Sequence, residues 1–400
     1  MTPATRLPSA IHRVMVAQAL SKLGDNFTEV ALAIFILHLT HNVASLGLVL
    51  AMAFLPRFLL GPVLIGVVDR LPKRAVLLAS DGSRALLVVS LPFVHDYLYT
   101  VVIVFLLYAL AMVYQPVLGG IQPQIAGDGA VLQRAMARRE TYFGLGDITA
   151  YAVAGGLIVA AGTTPAFLIN GATFLASGLL IATLRVPATV WTITAIRERF
   201  GVQVQQAMTF IREHRVVLFL VVLSGNIAVG SINTVLAPLS PDLWHVSTAH
   251  YAWLVLAIAV GLLVGGLVAE RWAIAPVHGI ALGLGLTGLG LVGTLVSPTW
   301  VVGLAPLAVS GFGNAFFGSS LAYLTQQSTP ATVRTRVLTL RSTLMGAGGA
   351  LGAYGSGWVA HGVSLPVAVL AVGALWVALA LATVMTPTLR VPTLSAPSAS

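Results

Sequence analysis

One stretch, Gln18-Ala19-Leu20-Ser21-Lys22-Leu23-Gly24-Asp25-Asn26-Phe27-Thr28-Glu29, carries a lysine and two carboxylates inside an apolar run long enough to cross a bilayer. At 100° per residue, Gln18, Lys22, Asp25, Asn26 and Glu29 fall on one side of a helix. A charge at mid-bilayer costs roughly 3 kcal/mol even on the lenient insertion scale, so this stripe must face a protein interior or a watery cavity. Ion pairing, proton binding and capture of a charged ligand are the chemistries open to it. Arg57, Asp81, Arg84 and Asp147 also lie within apolar runs. Asp81 and Arg84, at i and i+3, are placed to pair along one helix face, and Lys22 reaches Asp25 by the same rule. Arg57 is expected to meet Asp25 or Asp147. Lys22, Arg57 and Arg84 then stand against Asp25, Glu29, Asp81 and Asp147, and one carboxylate is left over. Low dielectric favours the neutral form of an unpaired carboxyl, which gives a physical basis for exchanging a proton for a substrate.

The elements that hold these residues follow from composition. The chain has 400 residues, 58% hydrophobic and only 8% charged, against about 25% charged in soluble domains. Its solvent is therefore lipid. Apolar runs of spanning length fall at about 14–39, 44–68, 75–94, 98–121, 139–161 and 164–185, then at about 216–237, 251–269, 274–296, 300–325, 337–360 and 365–386. The first run follows Arg6 and Arg13 as a signal peptide would. It is too long, is interrupted by charge and lacks a small-residue cleavage site, so it reads as an uncleaved span. There is no cysteine, hence no disulfide framework, thiolate metal site or cysteine nucleophile. A P-loop, a metal cluster and a nucleophile–base spacing are likewise missing, so no enzyme, cofactor or metal site is expected.

Orientation follows from the basic residues. With the N-terminus inside, Arg70, Lys73, Arg74, Arg134, Arg138, Arg139, Arg197, Arg271, Arg334 and Arg341 all fall on the cytoplasmic side. The opposite loops, around Asn42, Asp96, Thr163, Asp242, Pro298 and Gly362, hold no Lys or Arg. Both termini are expected to be cytoplasmic. The net charge of +9 is then topology bias plus attraction to anionic lipid, and no nucleic acid partner is expected. Residues 186–215 form a linker in which Phe200, Val204, Ala207, Met208 and Ile211 make an apolar stripe, the pattern of a helix lying on the membrane interface. Residues 387–400, rich in Ser and Pro, read as a disordered tail. The nine histidines fall near helix ends, which argues against a histidine proton relay.

A shift of about 200 residues brings several features into register. Leu23-Gly24-Asp25-Asn26 meets Leu223-Ser224-Gly225-Asn226, and Gly66-Val67-Val68-Asp69-Arg70 meets Gly266-Leu267-Val268-Ala269-Glu270-Arg271. Gly162 with Pro165 meets Gly362 with Pro366. Two parallel halves, 1–185 and 216–386, place a site at their interface near the midplane, and rocking of the halves gives alternating access.

Over its whole length the sequence resembles the major facilitator superfamily. The loop Gly66-Val67-Val68-Asp69-Arg70-Leu71-Pro72-Lys73-Arg74 resembles that family's signature after helix two, Gly-x-x-x-Asp-Arg-x-Gly-Arg-Lys, with Pro72 in place of a glycine. Leu23-Gly24-Asp25, Leu55-Pro56, Asp81-x-x-Arg84, Gly155-Gly156 and Phe167-x-x-Asn170 are similar to the macrolide-efflux and enterobactin-exporter branch of drug:proton antiporters. The antiporter motif of helix five keeps Gly155-Gly156 but has Tyr151-Ala152 where Gly-Pro would stand.

The resemblance implies an all-α membrane protein of twelve transmembrane helices in two pseudo-symmetric six-helix halves. It also implies a multi-pass location in a bacterial cytoplasmic membrane, and a monomer is expected. Asp25, Glu29, Lys22, Arg57, Arg84 and Asp147 form the expected proton-coupling cluster. By family geometry the first, fourth, seventh and tenth helices line the cavity and offer Asn26, Tyr108, Tyr114, Gln115, Asn226, Asn233, Asn314, Phe316 and Phe317. Gly66, Asp69, Arg70, Lys73 and Arg74 form the expected gating loop, Asp69 latching to the start of helix eleven. The leading expectation is proton-coupled efflux of an amphipathic, drug-like or siderophore-like small molecule, with protons and membrane lipid as the other partners. The alternatives are a lipid or lysolipid flippase or an uncoupled facilitator of the same fold, and, further off, a non-transporting membrane receptor.

Overall fold

The computed structural model describes residues 9–60, 72–126, 130–184, 209, 216–272, 274–327 and 334–385. These hold twelve long helices and, among the described residues, no strand. In chain order they are α1 (Ser9–Thr40), α2 (Val43–Leu59), α3 (Lys73–Ser90), α4 (Tyr97–Ala126), α5 (Ala130–Ala161) and α6 (Thr164–Ala182). The second set comprises α7 (Val216–Pro238), α8 (Tyr251–Arg271), α9 (Pro276–Gly293), α10 (Trp300–Gln327), α11 (Arg334–Gly362) and α12 (Leu365–Met385). Lipid offers no partner to a bare N–H or C=O, so a chain this apolar closes its hydrogen bonds within each helix. Ten of the helices are long and apolar enough to span a membrane; α2 is shorter, and α11 carries too many glycines and polar residues to register by hydropathy.

Hydropathy locates the hydrocarbon-crossing part of a helix, not its ends. Thus α1 starts at Ser9 rather than near 14, and α5 at Ala130 rather than near 139. The hairpin from α1 to α2 turns at His41, in a left-handed conformation (φ 49°). Asn42 then caps α2, its side-chain oxygen accepting from the N–H of Ala44 at 2.8 Å and of Ser45 at 3.4 Å. At the other end of the bundle, Arg74 donates to the Ala182 carbonyl and Arg13 to the Thr183 carbonyl and hydroxyl (3.3 and 3.0 Å). Two guanidinium groups therefore satisfy the bare carbonyls at the end of α6, where the helix dipole favours positive charge.

Within the first half, α1 packs against α5 and α6, and α3 against α4 and α6; within the second, α7 packs on α11, and α10 on α8 and α9. Between the halves, α2 lies along α11, α5 meets α8, and α1 touches α7. Two glycines set these approaches. A Cβ on Gly24 would run into Thr173 Oγ1 and Asn170 Oδ1, so α1 and α6 can close only at a glycine. A Cβ on Gly47 would lie 2.5 Å from the Ala353 carbonyl and 3.1 Å from the Gly357 Cα, which fixes the α2–α11 crossing near the Asn42 end of the bundle.

Three expected features, the linker 186–215, the tail 387–400 and the loop residues Gly66, Asp69 and Arg70, lie outside the described residues.

Candidate substrate and proton site

The polar stripe of α1 divides between two neighbours. Ser21 and Asp25 turn toward α3, while Lys22, Asn26 and Glu29 turn toward α5. A stripe about 100° wide spans two packing partners because α1 sits between them.

On the α3 side, Arg84 Nη2 donates to both carboxylate oxygens of Asp25 at 2.9 Å, and Arg84 Nη1 reaches Ser21 Oγ at 3.5 Å. The guanidinium lies 4.0 Å over the Phe174 ring centroid and is buried. A delocalised, weakly hydrated cation suits such a place, between an acid and an aromatic face. Asp81, on the same helix, is 4.0 Å from Arg84. Its Oδ2 accepts from the Ser177 hydroxyl at 2.8 Å, and Ser177 contacts the Tyr114 hydroxyl at 3.2 Å.

On the α5 side, Lys22 Nζ donates to Asn26 Oδ1 at 2.9 Å and stands 3.7 Å from Asp147. Asn26 Nδ2 donates to Asp147 Oδ1 at 2.5 Å. The Tyr151 hydroxyl lies 3.4 Å from Asn26 Oδ1 and 3.2 Å from Glu29 Oε2. Glu29 Oε1 accepts from Asn233 Nδ2 of α7 at 2.7 Å, so the network crosses from the first half to the second. Tyr108 and Tyr251 also lie within electrostatic reach of Glu29.

A cavity of ≈ 60 Å³ opens between these networks, lined by Gln18, Ser21, Lys22, Asp25, Arg84 and Tyr114 and closed by Ala111 and Phe143. The side chains of Lys22 and Asp25 are 39% and 41% exposed, against 5% for Arg84. A space of that size takes a few water molecules. It falls well short of the roughly 300–1,000 Å³ of a small-molecule pocket.

Two expected pairings are corrected. Lys22 goes to Asn26 and Asp147 rather than to Asp25, because residues 22 and 25 face different helices. Arg57 joins neither Asp25 nor Asp147. It ends α2, exposed, where α2 lies on α11: a Cβ on Gly346 would stand 2.9 Å from the Arg57 Cβ. The azimuth of α2 turns it toward α11 and the Tyr108 hydroxyl instead of the carboxylates. With Arg57 gone, Lys22 and Arg84 face four carboxylates: Asp25, Asp81, Asp147 and Glu29.

The expected cavity wall is also thinner in the second half. Phe317 is 4% exposed; its ring would meet a Cβ on Gly225 at 2.6 Å, and it lies edge-on to Trp376 at 5.5 Å, which makes it packing between α7, α10 and α12. Phe316 is buried beside Phe312 and Trp272. Asn226 is buried and donates to the Val222 carbonyl of its own helix at 2.8 Å. Asn314 is half-buried on α10, and the side chain of Gln115 lies outside the described ones. Tyr114 does reach the cavity. Lys73 and Arg74 stand at the start of α3, with Arg74 on the end of α6. Sequence reasoning gave Ser177 no role; it is a serine in an apolar run, and only the fold puts it between Asp81 and Tyr114.

A family model described as Major Facilitator Superfamily matches residues 14–243, more than half of the chain. The chain belongs to that superfamily, and it is a membrane transporter rather than an enzyme. No curated protein matches its sequence. Among solved structures it is similar to the nucleoside transporter NupG, at 15% identity with TM-score 0.76, covering 94% of this chain and 98% of that one. It is also similar to a bacterial homologue of the human lysosomal transporter Spinster, inward-facing and unoccupied, at 14% identity with TM-score 0.71 and 94% of each chain covered. The POT family transporter PepTSo matches at 12% identity with TM-score 0.72, over 95% of this chain and 98% of that one. At such identities the likeness shows the fold: two six-helix halves, twelve spans.

Proposed function

We propose that the chain is a secondary transporter that exchanges an amphipathic, positively charged small molecule, drug-like or siderophore-like, for protons. The observation that carries this reading is the charge balance of the α1 cluster. Two cations face four carboxylates, and among the described residues Glu29 is held by neutral groups, Asn233 and Tyr151. Low dielectric makes two surplus negative charges costly, and either a proton or a cationic ligand offsets that cost. With both termini in the cytoplasm, as the basic residues suggest, the Gly47–Gly357 approach of α2 and α11 and the Glu29–Asn233 contact close the outer side. Lys22 and Asp25 then face the inner one.

A second reading uses the same cavity. Lys22 and Asp25 show similar exposure side by side, a cation and an anion that suit a zwitterionic headgroup, as in a lipid or lysolipid flippase or an uncoupled facilitator. The matches described above lean this way. They are a nucleoside carrier, a Spinster homologue and a POT family carrier, and none of them is a drug or siderophore exporter.

Proteoliposomes with an imposed pH gradient separate the two. Ethidium accumulation that follows the gradient in wild type, and loses its proton dependence in Asp25→Asn or Glu29→Gln, supports exchange. Translocation of a fluorescent lysophosphatidylcholine with no gradient supports the second reading. Undiminished proton dependence in both variants would overturn the exchange mechanism.

A further inference from the structure

Asp81 stands one turn from Arg84 on α3, and spacing alone pairs them. In the structure Arg84 gives its close bonds to Asp25 at 2.9 Å and stays 4.0 Å from Asp81. Asp81 is 1% exposed, and while its Oδ2 takes the Ser177 hydroxyl, its Oδ1 has no hydrogen-bond partner. The charged and titratable groups that face it are Arg84 on its own helix, Asp25 from α1 and Tyr114 from α4; Ser177 from α6 is neutral. An ionised carboxylate in that place leaves a bare charged oxygen in a dry interior. A carboxylic acid removes the charge. From Asp81 the hydroxyls of Ser177 (2.8 Å) and Tyr114 (3.2 Å) lead in single steps to the cavity that Tyr114 lines.

We infer that Asp81 is a second proton-binding site, coupled to Asp25 through the one guanidinium of Arg84 and connected to the cavity through Ser177 and Tyr114. This rests on the exchange reading above. While Arg84 is on Asp25, Asp81 keeps its proton. A cationic substrate that takes Asp25 frees Arg84 to move the remaining distance to Asp81. The Ser177 hydroxyl, which donates to Asp81 Oδ2 at rest, turns to accept from it; the Asp81 O–H bond breaks, Ser177 takes that proton as it gives its own to Tyr114, and Tyr114 gives its own to cavity water. The carboxylate left behind takes the guanidinium. One cation enters and one proton leaves, so the charge of the cluster is unchanged.

Infrared difference spectroscopy on the full-length protein in lipid, stepped through pH without any substrate, tests this apart from transport. The expected result is a protonated-carboxyl band that grows in as pH falls from neutral, is lost in Asp81→Asn and is kept in Glu29→Gln. In Asp25→Asn the freed Arg84 faces Asp81, so the band should appear only at a pH lower by about one unit or more. Ser177→Ala should move the band frequency, and Tyr114→Phe should slow its hydrogen–deuterium exchange. A band absent from wild type, unaffected by Asp81→Asn, or growing in at the same pH in Asp25→Asn overturns the inference. Should Asp81→Asn fail to fold, an unmoved band in Ser177→Ala does the same. Gradient-driven ethidium transport that fails while the band behaves as described sinks the exchange reading alone.

Discussion

Glu29 Oε1 accepts a hydrogen bond from Asn233 Nδ2 at 2.7 Å, and the two residues belong to opposite halves of the molecule. The bond lies on the same side of the bundle as the Gly47–Gly357 approach of α2 and α11. A hydrogen bond to a charged group contributes about 1.5–3 kcal/mol, enough to bias the rocking of two halves without locking it. Asn233→Ala is therefore expected to open this side more often. The natural sequence has no cysteine, so Ser356→Cys supplies a single thiol, buried on α11 beside Gly357. Its labelling by a membrane-impermeant maleimide should rise roughly ten- to hundred-fold on adding Asn233→Ala. An unchanged rate would mean that the bond does not hold the halves.

Much of this arrangement was legible in the residues, and the limit has a physical origin. Lengths of apolar runs locate helices because lipid admits little else, and each of the twelve expected runs overlaps one described helix. The α1 stripe was legible because buried charge is costly wherever it occurs. Azimuth was not. Lys22 and Asp25 obey the i, i+3 rule and still face different helices, and Arg57 lies in an apolar run like the others but on a helix turned toward α11. Phe317 and Asn226 sit on helices that the family uses as cavity wall, yet their side chains pack within the second half. Spacing reports height along a helix; which neighbour a side chain meets depends on the packing of all twelve.

Gly24 provides a stability test of the packing that orients the stripe. Gly24→Ala drives a methyl into Thr173 and Asn170, and so into the bond of 2.7 Å from Asn170 Nδ2 to Thr28. Overpacking of this kind costs about 1–3 kcal/mol. Gly82→Ala, where nothing lies within 4 Å, is the control and should be neutral or slightly stabilising. Thermal unfolding in detergent should show the first variant melting well below wild type and the second at or above it. Equal melting temperatures would mean that α1 and α6 are not in the close contact described.

Arg57 and Arg84 are predicted to behave oppositely. Removing Arg84 strands Asp25 beside a buried space and strips the cation from Phe174. Arg84 is buried but Asp25 is 41% exposed, so water screens part of the loss; Arg84→Gln should still cost about 1–3 kcal/mol and lower the thermal midpoint. Arg57, in the last turn of α2, makes no ion pair among the described residues and has the Tyr108 hydroxyl as its neighbour, so Arg57→Gln should cost clearly less than Arg84→Gln. Matching losses in the two variants would restore Arg57 to the cluster.

Glu29 is the acceptor side of the same cross-half contact, and its charge can be tested apart from Asn233. Its two carboxylate oxygens accept from Asn233 Nδ2 at 2.7 Å and from the Tyr151 hydroxyl at 3.2 Å. Gln in its place keeps one acceptor oxygen and turns the other into an NH₂ donor, so one of the two bonds is lost. The bond that remains is neutral and about half as strong as a charge-assisted one. Maleimide labelling of Ser356→Cys should therefore be faster in Glu29→Gln than with Glu29 present. Glu29→Gln combined with Asn233→Ala should add little to Asn233→Ala alone, because both changes break the same bond. Rates that multiply in the double variant would mean that the two residues hold the halves independently.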